Sequence, residues 1–306
     1  MIPVYQRPQL LHLCLKRLFA STLIEACAIV FINDASPDNE VESILSDFCN
    51  EHMDKCWIRL MKKENKGIAD SVIAGWNILQ TLGVSILCLL DSDMLVSQDW
   101  IVRMKSIMDT FADKAVFTGF NETLIGRHKA IPNTLVGSCI KKKTIGGCHI
   151  MLKSSMWIPE LREKINVPKG RGWDWCLVGW CDKNKVNLVC SVPSCVQHVG
   201  ASGMNSVMGK PTDYALDFFH DEGDGFVFLV ALDIIGGKAP EPAVNLSHED
   251  VKTIKKEIES SEKVVGFTTD RVFIEKLDKK LFKLQIIVTG NEGIHVKKDQ
   301  WLKFIS

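Results

Sequence analysis

A chain of 306 residues that is 46% hydrophobic and 24% charged can bury one large core or two smaller ones, which excludes a disordered protein. Its 37 basic and 37 acidic residues give a formal net charge of zero, which argues against binding nucleic acid or anionic membranes by charge alone. The apolar runs are too short to span a bilayer, so we expect no transmembrane segment. The residues after Met1 do not have the pattern of a secretory leader, and eleven cysteines without a CxxC pair indicate reduced thiols, so we expect a cytoplasmic protein.

The first part of the chain alternates strand and helix patterns. Short apolar runs predict strands at 2–5, 26–33, 57–61, 86–90 and 115–120. Helical spacing of apolar residues predicts helices at 9–19, 40–48, 68–82 and 99–111. Because such alternation builds βαβ units, we expect an α/β fold with a Rossmann-like, mostly parallel sheet between helices. Beyond the last of these strands, which ends at residue 120, we expect an irregular stretch to about residue 200.

The strand at 86–90 stops at Asp91-Ser92-Asp93. A buried parallel strand would deliver both carboxylates to its carboxyl end, where open α/β sheets bind ligands. Carboxylates one residue apart are hard oxygen ligands, suited to Mn²⁺ or Mg²⁺ that keeps positions open for a diphosphate. Solvated aspartates in a strand-end turn are the alternative.

The C-terminal part of the chain predicts a second, smaller domain. Gly and Pro residues in 236–242 cannot continue regular structure and predict a linker. Beyond it, Ser247 is a suitable N-cap for a charged helix, and strands are predicted at 272–274 and 282–288, with a hairpin turn at 289–293. We therefore expect a catalytic domain over 1–235 and an accessory α/β unit over 240–306.

Four segments, taken in order, resemble the GT-A fold glycosyltransferases, especially those of family 2. They are Pro3-Val4-Tyr5-Gln6-Arg7-Pro8, Ile32-Asn33-Asp34-Ala35-Ser36, Asn65-Lys66-Gly67-Ile68-Ala69 and Asp91-Ser92-Asp93, which matches the family's DxD motif. The resemblance continues to Gln197-His198-Val199-Gly200 and thus covers about the first 200 residues. It implies a GT-A fold with a small C-terminal extension and a hexosyl- or pentosyltransferase that uses a nucleoside-diphosphate sugar.

The resemblance also implies where the donor nucleotide binds. In the family, the ends of the first two strands hold the base and ribose. A lysine and a glycine at a helix N-terminus, as in the third segment, make a good anion site. A strand-end turn is the alternative for each segment. The implied donor contacts are Pro3, Tyr5, Arg7, Asp34, Lys66, Gly67, Asp91 and Ser92.

The metal would be held by the DxD motif and a histidine. In the family, the aspartates that match Asp91 and Asp93 hold the metal that bridges the diphosphate. Many GT-A enzymes supply a late histidine as a further ligand, which His198 matches, and neutral imidazole suits Mn²⁺. A packed or solvated histidine is the alternative.

Two further elements would contact the sugar or the acceptor. Gly146 and Gly147 have no side chains to block a ligand, although they could simply form a bulge or tight turn. Asp174 lies between Trp173 and Trp175, whose bulk would exclude water, raise the proton affinity of the carboxylate and offer flat faces to sugar rings. In inverting family members, an Asp near this point is the general base. Many members carry an acidic residue where Trp173 stands, and a helix-capping role for Asp174 is the alternative.

Together these features predict metal-dependent transfer of a sugar, from a donor that in this family is commonly UDP-linked, to an acceptor hydroxyl with inversion. A nucleotidyltransferase of related fold is an alternative, disfavoured because Tyr5-Gln6-Arg7-Pro8 contains no glycine. A catalytically inactive sugar-binding module is another alternative. The acceptor could be a glycan, a protein, a small molecule or a hydroxylated base in DNA, so nucleic acid is expected only as an acceptor, and the sequence leaves the oligomeric state open.

Overall fold

A computed structural model describes residues 1–198, apart from 38, 54–55, 112–113 and 123–127, together with residues 215, 217 and 218 and four short strands between residues 226 and 289. The chain divides into two units. One comprises Met1–Gly200 and Tyr214–Phe219, and the other comprises Ala201–Asp213 and His220–Ser306. The predicted domain boundary near residue 235, the linker and the helix at Ser247 lie outside the described residues. Within the described part of the chain, no helix has the length and apolar character needed to cross a membrane.

Strands and helices alternate through the first 118 residues, and every predicted element there is present to within three residues. The elements are β1 (Ile2–Val4), α1 (Pro8–Phe19), β2 (Ala28–Asn33), α2 (Asn39–Glu51), β3 (Cys56–Met61), α3 (Ile68–Thr81), β4 (Ile86–Leu90), β5 (Met94–Val96), α4 (Trp100–Thr110) and β6 (Ala115–Thr118). The sequence patterns missed β5, because three residues directly after another strand give no separate period.

The prediction of an irregular stretch beyond residue 120 is wrong. That part of the chain forms β7 (Cys139–Lys141), β8 (His149–Lys153), α5 (Pro159–Ile165), α6 (Trp173–Lys183), β9 (Asn187–Ser191) and β10 (Val196–His198). These strands have three to five residues and pair with strands that are distant in sequence, so local composition carries little of their signal.

Eight described strands lie side by side in the order β3-β2-β1-β4-β8-β6-β9-β7. β1, β2 and β3 form one parallel sheet, and the other five strands form a second sheet. Met1 joins the two sheets, because its amino group donates to Cys88 O at 2.6 Å and its carbonyl accepts from the Leu90 N–H at 3.1 Å, as in a parallel pair. Only β8 and β7 run against their neighbours, so six of these eight strands share one direction, and the predicted mostly parallel sheet is confirmed.

Helices cover both faces of this sheet. Adjacent residues of β2 point to opposite faces, so Phe31 belongs to one apolar cluster and Val30 and Ile32 belong to another. The first cluster contains the buried sides of α1, α2 and α4, and the second contains those of α3, α5 and α6. The predicted layers of helix, sheet and helix are therefore present, and they leave the edges of the sheet open for a site.

The second unit contains four described strands: β11 (Phe226–Phe228), β12 (Leu232–Ile234), β13 (Phe282–Leu284) and β14 (Ile287–Thr289). β11 pairs antiparallel with β14, and β12 pairs antiparallel with β13. The strand predicted over 282–288 is therefore two short strands with separate partners. The predicted strand at 272–274 and the turn beyond Thr289 lie outside the described residues.

Candidate functional site

The carboxyl ends of four adjacent parallel strands meet at one edge of the sheet. Arg7 follows β1, Asp34 follows β2, Lys62 follows β3 and Asp91 follows β4. β10 lies antiparallel to β5, and this register sets His198 opposite Met94, directly after Asp93. The topology thus collects charged residues from distant parts of the sequence at the edge where open α/β sheets bind ligands.

Asp93 is the centre of a buried polar cluster at this edge. Its Oδ2 atom lies 2.6 Å from Arg7 Nη1 and 3.3 Å from His198 Nε2. Arg7 is directed there by a turn in which Gln6 and Arg7 both have a left-handed backbone, with φ of 58° and 54°. Such a conformation is costly for residues other than glycine and occurs often at functional sites. The Gln6 N–H donates to Ser36 Oγ at 3.0 Å, which ties this turn to the end of β2.

The pKa values of the two aspartates of the motif are shifted in opposite directions. Burial, and next the charge of Asp93, raise the pKa of Asp91 well above its usual range. Burial also disfavours the ionised form of Asp93, but the charges and hydrogen bonds of His198 and Arg7 outweigh it and hold the pKa of Asp93 below its usual range. Burial likewise disfavours the charged form of His198, yet the Asp93 carboxylate raises the pKa of this histidine. Paired groups with divergent proton affinities are typical of functional sites.

These residues fit a divalent cation that is bound by few protein ligands. Among the described residues, no group of three or more His, Cys, Asp or Glu side chains is arranged to hold a metal ion. Asp91, Asp93 and His198 are thus not a preformed three-ligand cage, and Arg7 contacts the Asp93 oxygen. However, Mg²⁺ and similar ions are commonly held by one or two carboxylates together with substrate phosphates. The Asp91 Oδ1 atom is buried and has no hydrogen-bond partner in the described structure, as expected for an oxygen that a cation would bind.

The Asp34 carboxylate contacts three neighbouring groups. Its two carboxylate oxygens accept hydrogen bonds from the N–H groups of Lys66 at 3.0 Å and Gly67 at 2.7 Å. Lys62 Nζ lies 2.9 Å from the Asp34 Oδ1 atom. Gly67 has φ of 89° and precedes α3, so this residue requires the conformational freedom of glycine. Sequence patterns missed Lys62, because a lysine in a charged run reads as part of a solvated loop.

The remaining predicted donor contacts have different environments. Pro3 is buried within β1, opposite Ile32 of β2, and Tyr5 is half-buried just beyond the strand. Ser92 is buried between the two aspartates. Lys66 is exposed, and its Nζ atom lies 3.3 Å from Glu64 Oε1.

Asp174 lies in the first turn of α6, which begins at Trp173, while Gly172 occupies the N-cap position. Its charge contributes to the raised pKa of Asp91, after burial and Asp93, so the two carboxylates are within electrostatic reach. Gly147 packs against it, since a Cβ added at Gly147 would lie 2.9 Å from Asp174 Cβ. Trp173 is buried in the second apolar cluster, whereas Trp175 is 53% exposed. The two tryptophans therefore differ: Trp175 is largely exposed to solvent, and Trp173 anchors the helix.

His128 is a neighbour of this region that sequence reasoning missed. Its Nδ1 atom lies 2.9 Å from Thr144 Oγ1, and its ring centroid lies 6.3 Å from that of Trp175. A Cβ added at Gly146 would lie 3.4 Å from His128 Nε2. No local signal in the sequence distinguishes His128 from the other histidines.

Comparisons with known proteins agree with this architecture. The family model described as glycosyl transferase family 2 matches residues 1–152, a range that includes Asp34, Asp91, Asp93, Gly146 and Gly147. A comparison with curated proteins found no match.

Solved structures of similar fold include a crystal structure of GalNAc-T7 with UDP, GalNAc and Mn²⁺, at 11% identity and a TM-score of 0.50, covering 69% of this chain and 44% of that one. The search also matched the mannosyltransferase PcManGT from Pyrobaculum calidifontis in complex with GDP-Man and Mn²⁺, at 13% identity and a TM-score of 0.43, covering 63% of this chain and 55% of that one. It likewise matched UDP-glucose pyrophosphorylase complexed with UDP-glucose, at 10% identity and a TM-score of 0.42, covering 62% of this chain and 88% of that one. The chain spans about half the length of the first two proteins.

Proposed function

This chain is a GT-A fold glycosyltransferase similar to those of family 2, and from this premise we propose that it transfers a sugar from a nucleoside-diphosphate sugar to an acceptor hydroxyl, with inversion and with a divalent cation. The observation that carries the proposal is the Asp93 cluster. The buried carboxylate of Asp93, beyond the carboxyl end of β4 and 3.3 Å from His198, is suited to bind a cation, and Arg7, 2.6 Å away, is suited to bind an anionic ligand beside it.

The leaving diphosphate would bind at the Asp93 cluster. Arg7 would contact a phosphate oxygen, because a guanidinium matches phosphate geometry and keeps its charge. The N-termini of α1 and α3 lie at the same edge and favour anions. When bound by Asp91 and Asp93, with His198 as a further ligand, Mn²⁺ or Mg²⁺ would neutralise charge on the diphosphate. We further propose that the nucleotide is UDP, the donor commonly used by enzymes of this kind, bound near Pro3, Tyr5, Asp34, Lys66, Gly67 and Ser92.

The acceptor would bind on the Asp174 side of the site. Asp174 would remove the proton from the acceptor hydroxyl as its oxygen bonds to the anomeric carbon. The bond from that carbon to the diphosphate oxygen breaks, and the diphosphate leaves from the opposite face, which inverts the anomeric configuration. Gly146 and Gly147 leave room for the sugar, and the exposed ring of Trp175 could stack on an acceptor sugar. The second unit is proposed to select the acceptor.

The test is release of nucleoside diphosphate from a panel of sugar nucleotides, with Mn²⁺ or with chelator. We expect one donor to be turned over only with metal, and the rate to fall at least about a hundredfold in Asp93→Asn. Asp174→Asn should lose transfer to an acceptor by a similar factor, since a general base contributes about a hundredfold or more. Asp109→Asn is the control, because Asp109 is exposed on α4 and forms an ion pair with Lys105 of the same helix.

Each alternative has its own result in this assay. Formation of a sugar nucleotide from a sugar phosphate and a nucleoside triphosphate would replace the proposal with a nucleotidyltransferase. Binding of a sugar nucleotide without any turnover would support a binding module. Turnover with retention of anomeric configuration would refute the role of Asp174 but leave the transferase proposal intact.

A further inference from the structure

Lys62 is a nearly buried cation that no sequence motif marks. It directly follows β3, and its N–H donates to Asn33 O at 2.9 Å, which places it at the edge of the sheet beside Asp34. Its side chain is 10% exposed. Nζ lies 2.9 Å from Asp34 Oδ1, 2.6 Å from Asp70 Oδ2 and 2.8 Å from Ser71 Oγ. Three acceptors match the three N–H groups of an ammonium, so this lysine is fixed in one position.

Asp34, one of the groups that contact Lys62, also holds the loop from Lys62 to Gly67 in place. Asp34 is held by its own N–H, which donates to Val4 O at 2.8 Å, and by Lys62. Its carboxylate in turn accepts from the Lys66 and Gly67 N–H groups, so both ends of the loop attach to one carboxylate. Removing the Lys62 charge would leave a buried, unpaired carboxylate at the centre of these contacts.

The Gly67 end of this loop packs against Lys169 and is tied to α3. Gly67 adopts φ of 89°, and a Cβ at this position would lie 3.1 Å from Lys169 Cγ. Ser71 Oγ, which accepts from Lys62, donates to Gly67 O at 3.2 Å, which fixes the first turn of α3 to the same group. The carboxylate of Asp34 therefore holds the loop, and it places the Lys66 and Gly67 backbone directly beside Asp34 in the proposed donor site.

We propose that Lys62 is a positioning residue for donor binding, which acts through Asp34 to hold the Lys66–Gly67 backbone in its donor-binding geometry. The proposal rests on the glycosyltransferase function proposed above. Because Lys62 contacts Asp34, Asp70 and Ser71 and would act through Asp34, it would affect binding of the nucleotide rather than the bond that breaks. Its loss should then remove binding energy that the ground state and the transition state share, which raises KM for the donor and leaves kcat unchanged.

The experiment compares Lys62→Met with Lys63→Met, the same substitution at the neighbouring exposed lysine. In steady-state donor turnover with Mn²⁺, we expect Lys62→Met to raise donor KM about tenfold or more, with kcat within about twofold of wild type. Lys62→Arg keeps the charge and should restore most of the donor affinity, while Lys63→Met should match wild type. Lys62→Gln, which keeps hydrogen-bond donors, replaces Lys62→Met if that variant does not fold.

A double-mutant cycle tests whether Lys62 acts through Asp34. If it does, Lys62→Met added to Asp34→Asn should raise KM little further, because both changes break the same contact. An unchanged donor KM in Lys62→Met, a fall in kcat at constant KM, or fully additive effects with Asp34→Asn would each overturn the proposal and leave the transferase function standing. A wild-type protein that turns over no donor would overturn both.

Discussion

At the scale of single residues, an added methyl group should have opposite effects at two glycines near α6, Gly147 and Gly179. A Cβ at Gly147 would lie 2.9 Å from Asp174 Cβ and 3.2 Å from the ring of the buried Trp173, so the surrounding residues would have to shift. We therefore expect Gly147→Ala to displace Asp174 and to lower the free energy of unfolding by about 1–3 kcal/mol. Urea unfolding measures the stability, and transfer to an acceptor should fall more than donor hydrolysis does.

Gly179 is the matched control, since an added Cβ there would meet nothing within 4 Å. Because alanine favours helix over glycine by up to about 1 kcal/mol, Gly179→Ala should leave stability unchanged or slightly raise it, with full activity. Equal effects of the two substitutions would contradict the tight contact between Gly147 and Asp174.

The sequence predicts single residues well where a strand end fixes their position. Asp91, Asp93 and Arg7 could be assigned to one edge because each follows a recognisable strand of a parallel sheet. The partners of those residues are harder to predict. Nothing local to Lys62 shows that its charge is buried against Asp34, because that contact depends on the pairing of β2 with β3.

At the scale of elements, β8 carries a buried histidine that makes stability depend on pH. His149 is fully buried, accepts a hydrogen bond from the Gly119 N–H at 2.8 Å, and has its pKa lowered to about 3 by burial. The unfolded chain, with an ordinary histidine pKa near 6.5, binds the proton more readily between these values. Stability should therefore fall as the pH drops from about 6.5 towards 3, by up to about 1.4 kcal/mol per pH unit from this residue.

Urea unfolding of wild type and His149→Asn between pH 7.5 and 4.5 tests this dependence. Asparagine can still accept from Gly119 but does not titrate, so the variant should lose the histidine part of the slope. His12→Asn, at an exposed histidine of α1, should keep it. Parallel pH curves for wild type and His149→Asn would show that His149 is not the source.

Element prediction succeeded where apolar residues lie on one face of a helix and failed where they lie on several faces. The helices of the first 118 residues have one apolar face each, which the spacing of their side chains reveals. In α6, by contrast, tryptophans lie on both the buried and the exposed sides, so the helix shows no clear apolar stripe. The direction of β8 could not be predicted, because buried strands have similar composition whether they are parallel or antiparallel.

At the scale of the whole molecule, Ala215 and Asp217 belong to the first unit and form hydrogen bonds with its buried polar side chains. Gln197 exchanges two hydrogen bonds with the Ala215 backbone, at 2.9 and 3.0 Å. The Asp217 carboxylate accepts from Asn121 Nδ2 at 2.9 Å and from Ser194 Oγ at 2.7 Å. Gln197, Asn121 and Ser194 are all buried, so each would lose a partner if this piece were removed.

We therefore expect a truncated chain that ends at Phe219 to unfold in one cooperative transition near that of the first unit in the full chain. A chain that ends at Gly200 should be less stable by several kcal/mol, because each buried polar group left without a partner costs about 1–3 kcal/mol. Thermal and urea unfolding measure the difference. Equal stability of the two truncated chains would contradict the structural role of Ala215 and Asp217.

The ion pair between Arg7 and Asp93 makes the guanidinium and a divalent cation competitors for one oxygen. A cation that binds Asp93 Oδ2 would repel the Arg7 charge and weaken this contact, and weakening a buried ion pair costs free energy unless the guanidinium finds another anion. A diphosphate would be that anion, so Mn²⁺ and UDP should each raise the affinity for the other by the same factor. Calorimetric titration of Mn²⁺ with and without UDP measures this factor. Equal Mn²⁺ affinities would mean that the two ligands bind independently, whereas a large factor would mean that metal and nucleotide tend to occupy the site together rather than one at a time.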